Sequence, residues 1–248
     1  MGTITKEQVV ATVASMCDII IEREVHFCEL DSVAGDGDFG MSLAKGFRQV
    51  KAQWDELDKG DVGAFLRDCG MVITEHCGGA SGPIWGSAFR GMGKSAQGKD
   101  SLSLAELSEV LQAAVDAIQK RGGAKLGDKT LLDALIPAVE SLKASAAGGL
   151  AQPTAFSEAA KAAVAGAEAT KLITANKGRA SYVGERSINF PDAGATAIGI
   201  IATVGLSMFP FILPSSIDPQ SSLTAWNASS SHLTLWIMLL VTLIFLPL

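Results

Sequence analysis

The sequence TKEQVVATVASMCDIIIEREVHFCE occupies residues 5–29 and carries two signals of an amphipathic helix. Thr5 with Gln8 three residues later forms a capping box, in which two side chains pair with backbone N–H groups at a helix start. Apolar residues then recur at helical spacing as far as Ile21. We therefore predict a helix that runs to about Glu29 and packs one apolar face into a core.

The same pattern repeats along the chain, with very little strand-like alternation. Ser103 and Glu106 form a second capping box. An Ala-rich run predicts a helix from Thr154 to about Ala175, and Pro137 predicts a kink in another helix because proline lacks a backbone donor. Short Gly-rich loops separate the apolar stripes, so we predict an all-α fold of six or more antiparallel helices. Further stripes lie within residues 43–54, 62–73, 104–118 and 131–142.

Composition divides the chain into two unlike parts. The 248 residues are 48% hydrophobic and carry a net charge of −6, which argues against a basic face for nucleic acid or anionic membranes. From Ala193 to Leu248 the only charged side chain is Asp218, and this stretch accounts for the high mean hydropathy of +0.30. We expect a domain at residues 1–196 and an apolar tail at residues 197–248.

The cysteines and the start of the chain favour a reducing compartment. No cysteine pair has the spacing of a zinc site, so we predict free thiols. The first residues lead directly into a charged helix start and lack the apolar core of a signal peptide. We therefore expect a cytoplasmic protein. The cysteines are Cys17, Cys28, Cys69 and Cys77.

The first Gly-rich loop, residues 30–40, reads LDSVAGDGDFG and holds three aspartates, Asp31, Asp36 and Asp38. Three carboxylates this close repel one another unless a cation is present. Carboxylate oxygens beside flexible glycines suit Mg²⁺ that is shared with phosphates. A calcium EF-hand is excluded because glycine and an apolar residue fill alternate ligand positions. Taken alone, this loop is equally well interpreted as a solvated Asp/Gly turn.

Three further loops have features that suit phosphate binding. Residues 77–83, CGGASGP, expose backbone N–H groups ahead of a helix that we expect to begin at Pro83, although a plain turn is the alternative. Residues 127–130, GDKT, add a cation and an N-capping hydroxyl. The loop at residues 178–187 contributes Arg179, whose guanidinium suits a phosphate or a base.

Taken together, the loops resemble the nucleotide-binding L subunit of dihydroxyacetone kinase, over residues 1 to about 197. This resemblance implies an antiparallel eight-helix α-barrel with the nucleotide and two Mg²⁺ ions at one end. It would make this chain one part of an enzyme. The motifs that carry it are GDGDFG at 35–40, GGASGP at 78–83, GDKT at 127–130, GRASYVGERS at 178–187 and DAGAT at 192–196.

The resemblance also implies which residues form the site. Asp31, Asp36 and Asp38 would hold the two Mg²⁺ ions, and ADP or ATP would be the nucleotide. No side chain would act as a catalytic acid, base or nucleophile. Some members of the family have histidine in place of Phe39, which affects only that nucleotide contact. The nucleotide would be lined by Phe39, Gly40, Met41, Ser42, Ala80, Ser81, Gly122, Leu131, Arg179, Asp192, Ala193 and Gly194.

The activity implied by the resemblance is phosphoryl transfer from Mg-nucleotide to dihydroxyacetone, or a related short ketose, held on a separate K subunit. The phosphoryl source stays open between free ATP and a phosphotransferase-system M subunit that recharges bound ADP. We also expect a homodimer and no nucleic-acid partner. Two alternatives remain: a nucleotide-loaded regulatory interaction module, and the nucleotide domain of a fatty-acid kinase.

The tail at residues 197–248 resembles a fragment of subunit II of a cytochrome bd-type quinol oxidase. Its uncharged runs, Ala197–Leu213 and Leu233–Leu248, are at or just below the length of a membrane-spanning helix. Pro210 and Pro214 would break the first run. A re-entrant or tightly packed hairpin and a genuine membrane anchor stay open as alternatives, but we expect a fused or misassembled reading frame rather than a selected anchor. We expect membrane association only if the tail is genuine.

Overall fold

A computed structural model describes residues 2–206, 211–213 and 223–224 of the chain. The described part is mainly helical, so the all-α prediction is confirmed. Two short strands, β1 (Ile4–Thr5) and β2 (Ser101–Leu102), pair antiparallel. The helices are α1 (Lys6–Glu22), α2 (Glu24–Ser32), α3 (Phe39–Ala52), α4 (Val62–His76), α5 (Ser81–Ser95), α6 (Leu104–Gly122), α7 (Leu132–Ala147), α8 (Gln152–Ala169) and α9 (Ala193–Ile201).

The helices form a closed ring. Helices α1 and α2 make one rod that is interrupted at Arg23, and each helix from α3 to α9 packs against the one before it. Helix α9 then contacts α1 and α2, which closes the ring. Short connections between successive neighbours from α2 to α8 make them antiparallel, and a longer segment, residues 170–192, joins α8 to α9. Within the described residues the result is the eight-rod barrel implied by the resemblance.

Both capping boxes are present. The Thr5 and Ser103 side chains accept from the backbone of Gln8 and Glu106, whose side chains accept in return. The predicted first helix is correct in position but is divided into α1 and α2, because Arg23 leaves helical geometry at φ −95° and ψ 10°. The helix containing Pro137 continues through it.

Aromatic side chains fill the centre of the barrel near α3 and α5. Phe47 is fully buried and meets Trp85 and Phe89 edge-on, with ring centroids 6.1 Å apart in both pairs. Edge-on contact places the positive rim of one ring against the negative face of the next. The predicted apolar stripes therefore do face a common core.

Helices α4 and α5 approach closely because glycines face each other across their contact. A methyl group built on Gly86 would lie 1.9 Å from the Thr74 hydroxyl oxygen and 2.8 Å from the Gly70 carbonyl oxygen. Gly93 of α5 faces Gly63 of α4 in the same way, because a methyl group built on Gly93 would lie 2.8 Å from the Gly63 carbonyl oxygen. Helices α4 and α5 can approach this closely only because Gly86 and Gly93 have no side chains.

We expect Gly86→Ala to lower the free energy of unfolding by about 1–3 kcal/mol, because the added methyl group overpacks the contact. Gly199→Ala in α9 is the matched control, since a methyl group there meets its nearest atom at an ordinary 3.6 Å. The control should be neutral or stabilising by up to about 1 kcal/mol through its helix propensity. Urea unfolding of both variants measures the difference, and equal stabilities would contradict the packing argument.

The chain forms two compact units, Met1–Ser207 and Met208–Leu248. The first extends past residue 196, where the sequence analysis set the domain boundary, because α9 spans that point and packs on α7 and α8. In the second, the described residues are strands β3 (Phe211–Leu213) and β4 (Leu223–Thr224), which pair antiparallel. The rest of the predicted tail lies outside the described residues. None of the described helices has the length and apolar character needed to span a bilayer.

Candidate metal and phosphate site

The antiparallel order of the barrel brings the Gly-rich loops to one end. The connections after α2, α4, α6 and α8 all lie at that end because successive helices alternate in direction. They surround an open cleft of about 180 Å³. The cleft is lined by Asp31, Phe39, Ala80, Ser81, Ile84, Trp85, Lys129, Thr130, Leu131, Lys177, Gly178, Arg179, Ala180, Asp192, Ala193 and Gly194.

Three carboxylates meet at one edge of this cleft. Oxygen atoms of Asp31, Asp36 and Asp38 all lie within 4.8 Å of one another. Asp31 is oriented by the Gly37 N–H, which donates to its Oδ2 at 2.9 Å. Burial raises the pKa of Asp31, the N–H groups of Phe39 and Gly37 counteract this, and the two neighbouring carboxylates raise it further. Clustered hard oxygen donors that repel one another fit a divalent cation such as Mg²⁺.

Arg179 reaches the carboxylate cluster from another loop. Its Nη1 lies 2.8 Å from Asp36 Oδ2, and both side chains are substantially exposed. A pair this exposed contributes little to stability, so the guanidinium can exchange partners at low cost. A planar cation at this position suits a phosphate group equally well. The fourth loop therefore meets the first, as the sequence analysis expected of a shared site.

Three helix N termini also open onto the cleft. Helices α3, α5 and α7 begin beside Asp38, Ala80 and Leu131. The first N–H of α3 donates to Asp31 Oδ2 at 3.4 Å, and that of α7 donates to the Thr130 hydroxyl at 3.2 Å, as predicted for an N-capping hydroxyl. No side chain caps α5. The first N–H groups of a helix have no partner within the helix and carry a partial positive charge. Converging ends of this kind provide backbone donors for an anion. The cleft thus pairs a cation-binding edge with an anion-binding wall.

Helix α5 begins earlier than the sequence predicted. Its first residue is Ser81, whereas the prediction placed Pro83 at the first helical position. Pro83 is still tolerated, because the first helical N–H groups have no carbonyl partner within the helix and a missing donor there loses no bond. The preceding Gly79 has a φ of 55°, a left-handed conformation that glycine adopts without strain.

The third loop differs from the prediction that it offers a free cation. The Lys129 ammonium is buried and donates to four backbone carbonyl oxygens, and burial lowers its pKa. The acceptors are Thr170 at 2.8 Å, Ile173 at 3.1 Å, Ser187 at 2.7 Å and Phe190 at 2.8 Å. An ammonium held in this way is not available to a phosphate in the cleft.

Asp192 forms the far wall of the cleft and begins α9. Its carboxylate accepts from the Ala195 N–H at 2.7 Å, and its own N–H donates to the Thr170 hydroxyl at 2.9 Å. Burial raises the pKa of Asp192 to about 7, with repulsion from Asp133 adding to the shift and Lys129 opposing it. The folded protein therefore favours the protonated carboxyl at this position more than the unfolded chain does.

This shift predicts a pH-dependent effect of Asp192→Asn on the protein without metal or nucleotide. Because the carboxyl pKa is raised in the folded state, ionisation of Asp192 lowers the stability of the fold. This loss of stability grows as the pH rises from about 4 to about 7. Asparagine keeps a capping oxygen but cannot ionise, so the variant should gain more in Tm at pH 8 than at pH 5. Asp61→Asn is the control, because capping the Ala64 N–H lowers the pKa of Asp61. Its effect should be the same at both pH values, and parallel behaviour of the two variants would contradict the prediction.

Most of the predicted site residues lie in the cleft wall or the carboxylate cluster, but four do not line the cleft. Gly40 instead packs against α2, where a methyl group built on it would lie 2.0 Å from the Glu24 carbonyl oxygen. The Ser42 carbonyl accepts from the Gly78 N–H, which ties the first loop to the second. The other two are Met41, which is exposed, and Gly122.

Several cleft residues were not singled out from the sequence. Ile84 and Trp85 lie in the first turns of α5 and form the apolar part of the wall. Their helical spacing was indistinguishable from that of core residues, since Trp85 is in fact buried. Lys177, Gly178 and Ala180 stood inside a quoted motif or beside one, which was the available signal. Lys129 and Thr130 also line the cleft, and the sequence had already indicated them as a cation and an N-capping hydroxyl.

A helical barrel with a carboxylate cluster and several helix N termini at one end belongs to the class of α-helical domains suited to a metal ion and a phosphate ligand. Comparison with known families then identifies the particular one. Residues 33–206 match the DAK2 domain, and the chain belongs to this family. The family match includes the second, third and fourth loops in full and the first loop from Val33 onward.

Similar proteins are found among both sequences and structures. The chain is 36% identical over 196 residues to the PEP-dependent dihydroxyacetone kinase ADP-binding subunit DhaL of Escherichia coli, covering 79% of this chain and 93% of that one. It is 40% identical over 188 residues to a second ADP-binding subunit DhaL, from Listeria innocua, covering 75% and 87%. The crystal structure of the dihydroxyacetone kinase from C. freundii in complex with AMP-PNP and Mg²⁺ matches with a TM-score of 0.63 and 29% identity. That match covers 81% of this chain and only 33% of the longer kinase.

The comparisons correct the interpretation of the tail. They do not support the resemblance of residues 197–248 to a cytochrome bd-type oxidase subunit, and the DAK2 match extends through residue 206. Residues 197–201 are apolar because they belong to α9, which packs on α7 and α8 and buries Ala197. Apolar composition alone did not distinguish a closing barrel helix from a membrane segment.

Proposed function

We propose that this chain is the ADP- or ATP-binding subunit of a dihydroxyacetone kinase. It transfers a phosphoryl group from Mg-nucleotide to dihydroxyacetone, or a related short ketose, held on a partner K subunit. The observation that carries the proposal is the convergence of three carboxylates and three helix N termini, of which that of α5 is uncapped, on one cleft. Membership of the DAK2 family and the likeness to ADP-binding subunits support the same conclusion.

Two Mg²⁺ ions are part of this proposal, with Asp31, Asp36 and Asp38 as their protein ligands. The donor set fits, because Mg²⁺ takes oxygen ligands and usually completes its coordination with phosphate and water. Bound magnesium would neutralise the charge on the transferred phosphoryl group. It would also relieve the repulsion among the three carboxylates, whose oxygens lie within 4.8 Å of one another.

The nucleotide contacts proposed for the chain rest on the walls of the cleft and, for Gly40, Met41, Ser42 and Gly122, which do not line it, on the family resemblance alone. The N–H groups at the start of α5, which no side chain caps, would donate to phosphate oxygens, and Arg179 would exchange its contact with Asp36 for a phosphate. Ile84 and Trp85 offer an apolar surface that excludes water. The proposed contact residues are Phe39, Gly40, Met41, Ser42, Ala80, Ser81, Gly122, Leu131, Arg179, Asp192, Ala193 and Gly194.

The proposed mechanism depends on positioning and on charge, and it uses no nucleophile from this chain. Phosphoryl transfer passes through a loose transition state that requires neutralisation of oxygen charges and alignment of donor and acceptor. Fixed N–H groups at helix ends and the Arg179 guanidinium supply this without reorganisation during the reaction. The chain's own task is therefore to hold the phosphates rigidly toward an acceptor outside the cleft.

For the phosphoryl source, we propose a bound ADP that is recharged by a phosphotransferase-system M subunit. The names of the E. coli and L. innocua relatives, which are PEP-dependent ADP-binding subunits, support this branch over exchange of free ATP. A homodimer and a cytoplasmic location complete the proposal. The location is supported by four cysteines that are all free.

The test is reconstitution of the full chain with a K subunit, dihydroxyacetone and Mg²⁺, supplied either with ATP or with the phosphoenolpyruvate relay. Dihydroxyacetone phosphate should accumulate under the relay, and erythrulose in a parallel assay tests the range of ketoses. Absence of product under both phosphoryl sources would contradict the proposal. Stable binding of the K subunit without turnover would instead favour a regulatory module, and phosphorylation of a carrier-bound fatty acid would favour a fatty-acid kinase.

A further inference from the structure

The Lys129 ammonium lies in a cage of backbone carbonyl oxygens. Residue Lys129 is only 3% exposed. Its Nζ lies 2.7–3.1 Å from the carbonyl oxygens of Thr170, Ile173, Ser187 and Phe190. An ammonium has three N–H donors, so four acceptors at this distance use all of them. No carboxylate forms an ion pair with this ammonium among the described residues.

The backbone of Lys129 indicates that its side chain is needed at this position. Its φ is 61°, in the left-handed region that disfavours residues with a Cβ atom. Glycine adopts this conformation without cost, and Gly127 two residues earlier does so at φ 90°. A lysine held in a strained conformation requires compensation from the contacts of its side chain. The carbonyl cage provides that compensation.

All four carbonyl groups belong to one segment, residues 170–192, which we call the strap. The strap connects α8 to α9 and contains no α-helix, only two 3-10 helices at Thr170–Leu172 and Arg179–Ser187. It carries Arg179, which pairs with Asp36, and it ends at Asp192, which caps α9. Lys129 reaches the strap from the loop before α7, across 41 to 61 positions of sequence.

We infer that Lys129 is a positioning residue whose ammonium serves as a tethered monovalent cation, holding the strap so that Arg179 and Asp192 face the nucleotide. The identity of the ligand as a nucleotide rests on the proposed function. The restraint that Lys129 places on the strap does not depend on that function. Rings of backbone carbonyls at this distance replace the hydration shell of K⁺ in other proteins. An untethered ion of similar size and charge should therefore fill the same cage when the lysine side chain is removed.

The test uses Lys129→Gly, which relieves the strained backbone and leaves the carbonyl cage open. In sodium buffer, backbone amides of the strap should exchange with solvent faster than in the unmodified chain, while α4 and α5 stay protected. Replacing sodium by ammonium or potassium at equal ionic strength should slow that exchange again. Lys161→Ala is the control, because this lysine lies exposed on α8 and pairs with Glu158 on the surface.

The same variants are titrated with Mg-ADP. Lys129→Gly should bind about 10-fold to 100-fold more weakly in sodium, since misplaced binding groups cost affinity on this scale. Ammonium or potassium should restore most of the loss, and the unmodified chain and Lys161→Ala should not respond to the cation. Unchanged strap exchange in Lys129→Gly, or faster exchange that neither ion reverses, would overturn the inference. If the exchange result holds while the unmodified chain binds no nucleotide, the proposed function fails and the caging of the strap stands.

Discussion

Asp36→Asn is expected to remove metal binding and to lower phosphoryl transfer by at least about a thousandfold, the scale of lost electrostatic stabilisation in such reactions. The substitution keeps the shape of the side chain but removes one of three charges that face each other within 4.8 Å. The amide is a weaker ligand for Mg²⁺ than the carboxylate is. The loss should appear in kcat as well as in nucleotide affinity, because the metal is proposed to act on the transferred group.

Folding of Asp36→Asn should be nearly unaffected. Its ion pair with Arg179 is exposed and contributes about 0–1 kcal/mol, and removing one carboxylate relieves repulsion within the cluster. The unmodified chain should gain thermal stability when Mg²⁺ and ADP are added, whereas the variant should not. Asp116→Asn on the exposed face of α6 is the control and should behave like the unmodified chain. Retained Mg²⁺ binding in Asp36→Asn, measured by calorimetry, would show that the carboxylate cluster is not the metal site.

Ala80→Asp is expected to weaken nucleotide binding by at least about a hundredfold without destabilising the fold. Ala80 lies exposed at the start of α5 and lines the cleft. A carboxylate there is favourable for the helix dipole by about 0.3–1 kcal/mol. It would, however, lie beside the phosphates, and two like charges about 4 Å apart near a protein surface repel by about 4 kcal/mol. Stability and affinity should therefore change in opposite directions.

Ala151→Asp is the matched control for this variant. Ala151 is also an exposed alanine at a helix start, but it precedes α8 at the opposite end of the barrel. Its extended backbone is that of a good N-cap, so the aspartate should stabilise the fold by about 1 kcal/mol. Nucleotide affinity should not change. If Ala80→Asp binds ADP as tightly as Ala151→Asp does, the phosphates do not lie at the start of α5.

Local signals explain why much of the fold was predictable. The capping boxes at Thr5 and Ser103 involve residues three apart, and an apolar stripe directly reports a buried helix face. The Gly-rich loops were recognisable because glycine and aspartate are unusual between such stripes. Alternation of helix direction then requires every second loop to lie at the same end, so the gathering of the motifs followed from the order of elements.

Features that depend on distant residues were not predictable in this way. The broken helix at Arg23 and the early end of the Ala-rich helix at Ala169 have no strong local cause in glycine or proline. After Ala169, the carbonyl of Thr170 bonds to Lys129, a contact 41 positions away. The same contact explains why Lys129 was misjudged as a free cation. A lysine in a loop is predicted to be exposed to solvent, because its distant hydrogen-bond acceptors cannot be identified from the sequence.

Calorimetric titration of the full chain with ADP, with and without Mg²⁺, shows whether the cleft binds a nucleotide and whether a metal takes part. The cleft is proposed to bind nucleotide through a metal held by Asp31, Asp36 and Asp38. One nucleotide should bind per chain, with an affinity at least about tenfold higher in Mg²⁺ than in chelator, a difference of about 1.4 kcal/mol. Failure to bind ADP in either buffer, or equal affinity in both, would contradict the account.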